Sequence, residues 1–178
     1  MKKGFTLIEM MIVVAIIAII AAIAIPSLLA ARRNSLETNA VGSCRAYASA
    51  QTMFHRNDWD NNGDLEYADD FTLLASTLDG NGNEIQLIDS AFAAAATAAG
   101  TPKHGYVFED MTQIDAVAID WIDDYGLSGI PSTYGRTGYR SFIVSTNGTV
   151  FGRDQGAAGT FVTNYPGNPT TAGWIIAE

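Results

Sequence analysis

Oxygen-bearing side chains alternate in one twelve-residue stretch, DWDNNGDLEYAD, at residues 58–69. Asp58, Asp60 and Asn62 occupy the first, third and fifth positions of a known calcium-loop pattern. Gly63 occupies the sixth position, where such a loop turns sharply. The other candidate ligands are Asp64, Glu66 and Asp69. Carboxylate and carbonyl oxygens are the ligands that Ca²⁺ prefers, so the spacing predicts a calcium site in this loop.

The same stretch departs from the calcium pattern at its last position. Asp69 stands at the twelfth place, where a longer glutamate usually binds the ion through both oxygens, so the choice of metal and its affinity stay open. A polar turn that follows a helix and holds no metal is the alternative interpretation. A second polar run, at residues 79–84, has too few carboxylates to surround a cation and is predicted to be a turn.

A carboxylate also stands at the start of a long apolar segment. Glu9 precedes residues 10–31, in which only Pro26 and Ser27 interrupt the hydrocarbon side chains. A helix rises about 1.5 Å per residue, so this segment can cross the roughly 30 Å core of a bilayer. An acid in a membrane costs about 2.5 to 3.5 kcal/mol on insertion scales unless it is paired. The sequence therefore predicts a membrane-inserted helix and a positively charged partner for Glu9.

The N-terminus resembles that of type IV pilins and type II secretion pseudopilins. The shared features are Gly4 followed by FTLIE, and then a long apolar helix with one proline. In that family a prepilin peptidase cuts after the glycine and methylates the new N-terminus. The resemblance implies that residues 1–4 are a leader, that Gly4 and Phe5 flank the cleaved bond, and that the apolar helix stays in the mature protein. An ordinary secretory signal would have a shorter apolar region, of roughly 7 to 15 residues.

Cleavage would leave an ammonium group on Phe5, one helical turn before Glu9. In a stack of such helices, the amine of an incoming subunit can neutralise Glu9 of its neighbour, whereas a misplaced subunit leaves two charges unpaired. The predicted assembly residues are Phe5, Glu9 and Pro26, the last because helices of this family can melt near the proline when subunits pack. The resemblance further implies a helical homopolymer whose partners are the peptidase, an inner-membrane assembly platform and an ATPase.

The chain divides into four predicted segments. Residues 1–4 are the leader, 5–31 the transmembrane and filament-core helix, 32–57 its amphipathic continuation, and 58–178 a globular α/β head. In the continuation, residues at spacings of three and four predict one stripe that packs on the head. This stripe contains Leu36, Ala40, Cys44, Tyr47, Gln51 and Phe54, and the opposite face contains Gly42, Arg45, Ser49, Thr52 and Arg56.

The head changes from helical to strand patterning along its length. Helices are predicted within residues 66–78, burying Phe71, Leu74 and Leu78, and within residues 84–100. Strands are predicted within 105–111, 116–123, 140–145 and 149–154. Asn147-Gly148, between the last two, is a strong hairpin signal. The expected fold class is α+β, a lollipop in which the long helix packs on an antiparallel sheet.

Charge, cysteine and histidine content argue against several classes of function. The formal net charge is −9, and removal of the leader lysines makes the mature chain more acidic, so no nucleic-acid partner is expected. Cys44 is the only cysteine, which rules out a disulfide within the chain and predicts a small buried side chain on the packed stripe. His55 and His104 lack metal-ligand spacing. The sequence has no recognised catalytic motif, and we expect that the protein is not an enzyme.

Four functions are consistent with these features. A surface type IV pilus subunit would lie in the inner membrane before assembly and in a cell-surface filament afterwards. A type II secretion pseudopilin would polymerise in the periplasm and act in protein export across the outer membrane. A monomeric, membrane-tethered calcium-binding module would keep an intact N-terminus and form no polymer. A membrane-tethered enzyme is the remaining alternative.

Overall fold

One long helix carries a compact head at its C-terminal half. The computed structural model describes residues 4–59, 63–75, 77–78, 82, 84–96, 101–157 and 159–177. Helix α1 spans Leu7–Phe54, 48 residues, and continues through Pro26. At about 1.5 Å per residue it is roughly 72 Å long, far longer than the head requires. It is long and apolar enough to cross a membrane, and the apolar part is not buried inside the protein.

The head is built from short elements. A 3-10 turn lies at Phe71–Leu74, and helix α2 at Ser90–Ala93. The strands are β1 Thr77–Leu78, β2 Glu84–Ile85, β3 Tyr106–Asp110, β4 Gln113–Ile114, β5 Val117–Ala118, β6 Gly126–Pro131, β7 Arg140–Ser145, β8 Phe151–Asp154, β9 Asn164–Tyr165 and β10 Ile175–Ile176.

An antiparallel sheet forms the platform on which α1 lies. Within the described residues it has five strands in the spatial order β10-β8-β7-β6-β3. The register places Ile143 opposite Ser128 on one side and opposite Phe151 on the other. Helix α1 packs on β7 and β6. The predicted fold class, a long helix on an antiparallel sheet, is confirmed.

The predicted packing stripe of α1 is confirmed. Ala40, Cys44, Tyr47, Gln51 and Phe54 are buried, and Leu36 is half-buried. The opposite face is exposed at all five predicted positions, which are Gly42, Arg45, Ser49, Thr52 and Arg56. A spacing of three and four residues keeps side chains on one side of a helix, so the pattern alone determined which face meets the sheet.

Aromatic rings fill the space between α1, the 3-10 turn and the sheet. Phe92 lies between Phe71 and Phe108, with ring centroids 5.4 and 4.9 Å away. Tyr47 of α1 makes edge contacts with Phe71 and with Tyr125, at 6.3 and 5.6 Å. Such rings bury large apolar areas and prefer offset or edge-to-face geometry, so this cluster attaches the helix to the head.

The predicted head helices are wrong in extent. The first is only the 3-10 turn, which begins where the Asp70 carboxylate accepts a hydrogen bond from the Thr72 amide, and Leu78 belongs to β1 instead. The second is the single turn of α2, started by Asp89 at its N-cap. Short helices depend on tertiary packing, and here β1 and β2 pair with each other and take residues assigned to both helices. Residues 97–100 of the second prediction lie outside the described part of the chain.

The strand predictions are correct for three segments out of four. β3, β7 and β8 lie where expected, and the β7-β8 hairpin turns at Asn147-Gly148, where Gly148 has a φ of 68°. The segment 116–123 holds only the two residues of β5. Strand β6 was missed because its sequence, GLSGIP, contains turn-forming residues. Gly129 in this strand lies against the Phe108 ring, so a side chain there would collide with it.

Candidate functional site

The predicted processing region precedes the first turn of α1. Gly4 and Phe5 are exposed, and Phe5 has 84% of its surface accessible. Thr6 is the N-cap, and its hydroxyl accepts a hydrogen bond from the Glu9 amide at 3.3 Å. The Glu9 Oε2 atom accepts in return from the Thr6 amide at 2.8 Å and from its hydroxyl at 2.7 Å. The bond predicted to be cleaved is therefore accessible, two residues before a firmly capped helix.

This reciprocal arrangement is a capping box that the sequence interpretation missed. The signal was present as T-x-x-E at Thr6 and Glu9, a spacing typical of a helix start. The box explains how Glu9 is accommodated within a single chain, with one oxygen engaged by Thr6. Its Oε1 atom has no hydrogen-bond partner in the part of the chain that the structure describes. One carboxylate oxygen is thus available to a second group.

The N-terminal half of α1 is an uncovered apolar surface. Its large side chains are exposed from Leu7 to Leu29, including all isoleucines between these positions. Pro26 lies within the helix and has no N–H to donate to the carbonyl of Ala22. An apolar surface of this length is stable only in a bilayer or against other apolar helices.

A buried acid fastens the middle of α1 to the sheet. Glu37 keeps 6% of its surface exposed and forms a salt bridge with Arg140 of β7, with Nε to Oε2 at 2.7 Å. Its Oε1 atom accepts from the Tyr139 amide at 2.8 Å. One helical turn earlier, Arg33 donates to the Gly135 carbonyl at 2.9 Å and to the Tyr139 hydroxyl at 2.8 Å. The two side chains fix the loop between β6 and β7 against α1.

A second polar network fastens the end of α1. Gln51 is fully buried and exchanges hydrogen bonds with both backbone groups of Ala68, each at 2.9 Å. It also donates to the Tyr47 hydroxyl, which in turn donates to Asp110 of β3 at 2.9 Å. The other Asp110 oxygen accepts from the Phe71 amide at 2.8 Å. One network thus joins the helix, the segment that follows it and the sheet.

Burial in this network raises the pKa values of Asp110 and Tyr47. Loss of solvent raises the pKa of Asp110 to about 7, and the nearby Asp70 and Asp69 add to the rise, against the hydrogen bonds from Phe71 and Tyr47. Burial, followed by the Asp110 charge, raises the pKa of Tyr47 well above its ordinary value. The hydroxyl of Tyr47 therefore stays a hydrogen-bond donor at all physiological pH values.

The structure describes only part of the predicted calcium loop. Asp60 and Asn62 lie outside the described residues, whereas Asp58 accepts a hydrogen bond from the Gly63 amide at 2.9 Å. Asp64 and Glu66 have interactions of their own, and Asp69 lines a cavity of about 290 Å³ that Asp110 also lines. Within the described residues no group of three or more His, Cys, Asp or Glu side chains could hold a metal ion. The calcium site stays a prediction.

The cysteine and histidines sit in packed or surface positions. Cys44 is fully buried, as predicted, and burial raises the pKa of its thiol to about 12, so it is an inert core side chain. His55 is half-buried, with Nε2 3.1 Å from the Ile122 carbonyl and its ring 4.3 Å from that of Tyr67. His104 is exposed and has a φ of 50°.

Comparisons with known proteins fall into two parts along the chain. Residues 1–25 match the prokaryotic N-terminal methylation motif, and residues 27–165 match the model of a family described as protein of unknown function (DUF2950). The type IV wide pilus major component PilA4 of Thermus thermophilus is 67% identical over 36 residues, 20% of this chain and 28% of that protein. The type IV major pilin protein PilA of Myxococcus xanthus is 50% identical over 53 residues, 30% of this chain and 24% of that protein. The chain thus aligns with about a quarter of each curated relative.

Proposed function

Because the chain belongs to the type IV pilin and pseudopilin family, and through residues 27–165 to the DUF2950 family, we propose that it is a subunit of a surface type IV pilus. In this role α1 forms the filament core, and the head forms the outer surface. Both curated relatives are pilus components by name, which favours the pilus over the secretion pseudopilus.

The main support for this proposal is the difference in exposure between the two halves of α1. The C-terminal half is covered by the head, whereas the apolar side chains between Leu7 and Leu29 are exposed. A membrane covers this surface before assembly, and the same helices of neighbouring subunits cover it in a filament. Polymerisation therefore removes the same apolar area from water that the bilayer does, and the subunit can pass from one environment to the other without exposing it.

Glu9 supplies the register of the proposed filament. Cleavage after Gly4 converts the Phe5 amide into an ammonium group next to the capped helix start. We propose that this amine, in an incoming subunit, pairs with the Glu9 carboxylate of its neighbour, which keeps one oxygen outside the Thr6 capping box. A subunit in the wrong register would leave both charges unpaired among apolar side chains, so only one register is stable.

Assembly on this proposal needs three partners. Prepilin peptidase removes residues 1–4 and methylates Phe5, and an inner-membrane platform with an ATPase extracts the subunit into the growing filament. The exposed Gly4–Phe5 bond supports access by the peptidase. The head acts as a structural surface, with no catalytic role proposed.

Immunolabelling of unpermeabilised cells tests the proposal. An antibody against the head should decorate filaments on the cell surface, and Gly4→Asp, which places a charged side chain at the bond predicted to be cleaved, should abolish them. Gly42→Ala is the matched control, since an added methyl at this exposed position of α1 meets nothing within 4 Å. Label found only after permeabilisation would favour the secretion pseudopilin. An uncleaved chain without any polymer would favour the tethered module.

A further inference from the structure

A basic pocket lies where the apolar half of α1 ends. Its cavity of about 270 Å³ is lined by Arg32 and Arg33 of the helix and by Arg136 of the β6-β7 loop. Leu29 and Leu36 complete the helix side of the wall. The volume is slightly below the roughly 300 Å³ at which pockets begin to enclose drug-sized ligands, and it suits a small polar group.

The pocket has a fixed wall. Arg33 is held by its hydrogen bonds to the Gly135 carbonyl and the Tyr139 hydroxyl, and its guanidinium lies 4.9 Å from the centre of the Tyr139 ring. In the loop, the Thr137 and Arg136 amides both donate to the Thr133 carbonyl, at 2.9 and 3.2 Å. The loop therefore presents Arg136 in a defined position beside the helix.

The described residues supply no carboxylate partner for the positive charge of this pocket. Within the described part of the chain, ion pairs join Arg140 to Glu37 and Lys103 to Asp89, and none joins a carboxylate to the three pocket arginines. Arg32 and Arg136 are exposed. Three cations gathered at one place in a chain with a formal net charge of −9 form a local basic site that an anion can fill.

Helix geometry places this site at the level of lipid headgroups. If Leu7 lies at one edge of the hydrocarbon core, Arg32 lies roughly 37 Å further along α1, and the core is about 30 Å thick. The headgroup layer extends only about 5 to 8 Å beyond the core. Leu29, roughly 33 Å along α1, would then lie just beyond the edge of the core, and because helical side chains tilt toward the N-terminus it can reach the ends of the acyl chains. The arginines would lie among the phosphates.

We propose that this pocket binds the headgroup phosphate of an anionic phospholipid in the leaflet next to the head, before the subunit enters a filament. Arg32 and Arg136 contact the phosphate, and Leu29 packs on the lipid chain. The bound lipid orients the head on the membrane surface. This inference rests on the membrane-anchored state of the proposed function, and it does not depend on whether the filament is a pilus or a pseudopilus.

Lipid titration of the full-length protein in detergent, followed by native mass spectrometry, tests the proposal. Phosphatidylglycerol should bind more tightly than phosphatidylcholine with the same acyl chains. Each arginine near a charged headgroup is worth about fivefold in affinity, so R32Q with R136Q should weaken phosphatidylglycerol binding about 25-fold. R56Q is the matched control, because Arg56 is an exposed arginine beyond the far end of α1. R56Q should bind phosphatidylglycerol with the affinity of the wild type.

Four results would overturn the proposal. If phosphatidylglycerol and phosphatidylcholine bound with equal affinity, the pocket would not recognise the headgroup charge. If R56Q weakened phosphatidylglycerol binding as much as R32Q with R136Q does, the effect would be one of overall charge and not of the pocket. Displacement of the lipid by millimolar inorganic phosphate would identify a site for small anions instead. If R32Q with R136Q prevented filament formation while its lipid affinity stayed unchanged, a second copy of the chain would be the occupant. Conversely, selective lipid binding by a chain that forms no filament would support the pocket and reject the proposed pilus.

Discussion

At the scale of single residues, the two carboxylate oxygens of Glu9 have different partners in our account. One oxygen closes the capping box with Thr6, and we assign the other to the amine of a neighbouring subunit. Replacement by glutamine keeps the size of the side chain and removes its charge. E9Q should therefore insert and be cleaved normally but be lost from sheared filaments, which immunoblotting of the filament and membrane fractions measures.

E84Q is the control for this prediction, because it removes one negative charge from an exposed position of the head. It should leave the filament yield unchanged. Filaments of E9Q in wild-type amount would contradict the role assigned to the Glu9 carboxylate.

Asp110 makes the attachment of the head dependent on pH. Its pKa is about 7 in the folded protein and near 4 in an unfolded chain, so the folded state binds more protons between these values. The contribution of Asp110 to the free energy of unfolding is therefore largest below about pH 4, and it is lost as the pH rises from there through about 7. The free energy of unfolding should be roughly 2–3 kcal/mol lower at pH 8 than at pH 5 from this group alone.

Denaturant unfolding of the full-length protein in mild detergent at the two pH values measures this difference. D110N keeps the size of the side chain and should remove most of the pH dependence. A wild-type protein as stable at pH 8 as at pH 5 would show that Asp110 is not protonated in the fold. No local pattern marks Asp110, because its burial depends on contacts from Tyr47 and Phe71, which are distant in sequence.

Gln51 shows how an element is held by a single side chain. Its amide satisfies both backbone groups of Ala68 and the Tyr47 hydroxyl inside the core. Q51L leaves both backbone groups of Ala68 without their partner, and each unpaired buried polar group costs about 1 to 3 kcal/mol. The free energy of unfolding should therefore fall by about 2 to 6 kcal/mol. T52A, on the exposed side of the same helix turn, should change it by less than about 0.5 kcal/mol. If a urea titration gave the same loss of unfolding free energy for Q51L and T52A, the Gln51 network would not be the main attachment of α1 to the head.

The loop after α1 carries the calcium prediction. If the ion binds only the folded state, calcium at about a hundred times the dissociation constant should add roughly 2.7 kcal/mol to the free energy of unfolding. Thermal melting with calcium and with a chelator measures this shift, and D58A with D60A should abolish it. D123A with D124A removes the same charge from another segment and should retain the shift. Identical wild-type curves with and without the chelator would rule out the site.

Periodic patterns predicted some elements well and others poorly. The stripe from Ala40 to Phe54 and the β7-β8 hairpin follow from local rules, namely helical spacing and the Asn147-Gly148 turn. Strand β6 could not be predicted this way, since Gly129 is required by the neighbouring Phe108 ring and not by any local preference. The Thr6 capping box had a local signal, the T-x-x-E spacing from Thr6 to Glu9.

At the scale of the whole molecule, α1 lies in two environments. Its C-terminal half belongs to the core of the head, and its N-terminal half is an exposed apolar surface that is long enough to cross a membrane. The contacts of Glu37 and Gln51 attach the head to the helix, so in the proposed filament the head would move together with the helix. The composition of residues 10–31 predicted the exposed apolar half of α1, and the helical stripe predicted the half that packs in the head.

The intact mass of the chain in filaments sheared from the cell surface tests the central claim most directly. The account predicts a subunit that lacks residues 1–4 and carries one additional methyl group on Phe5. The same processed mass should also occur in the membrane fraction, as the reserve for assembly. An uncut mass confined to the membrane, with no copy in the sheared fraction, would contradict a filament subunit.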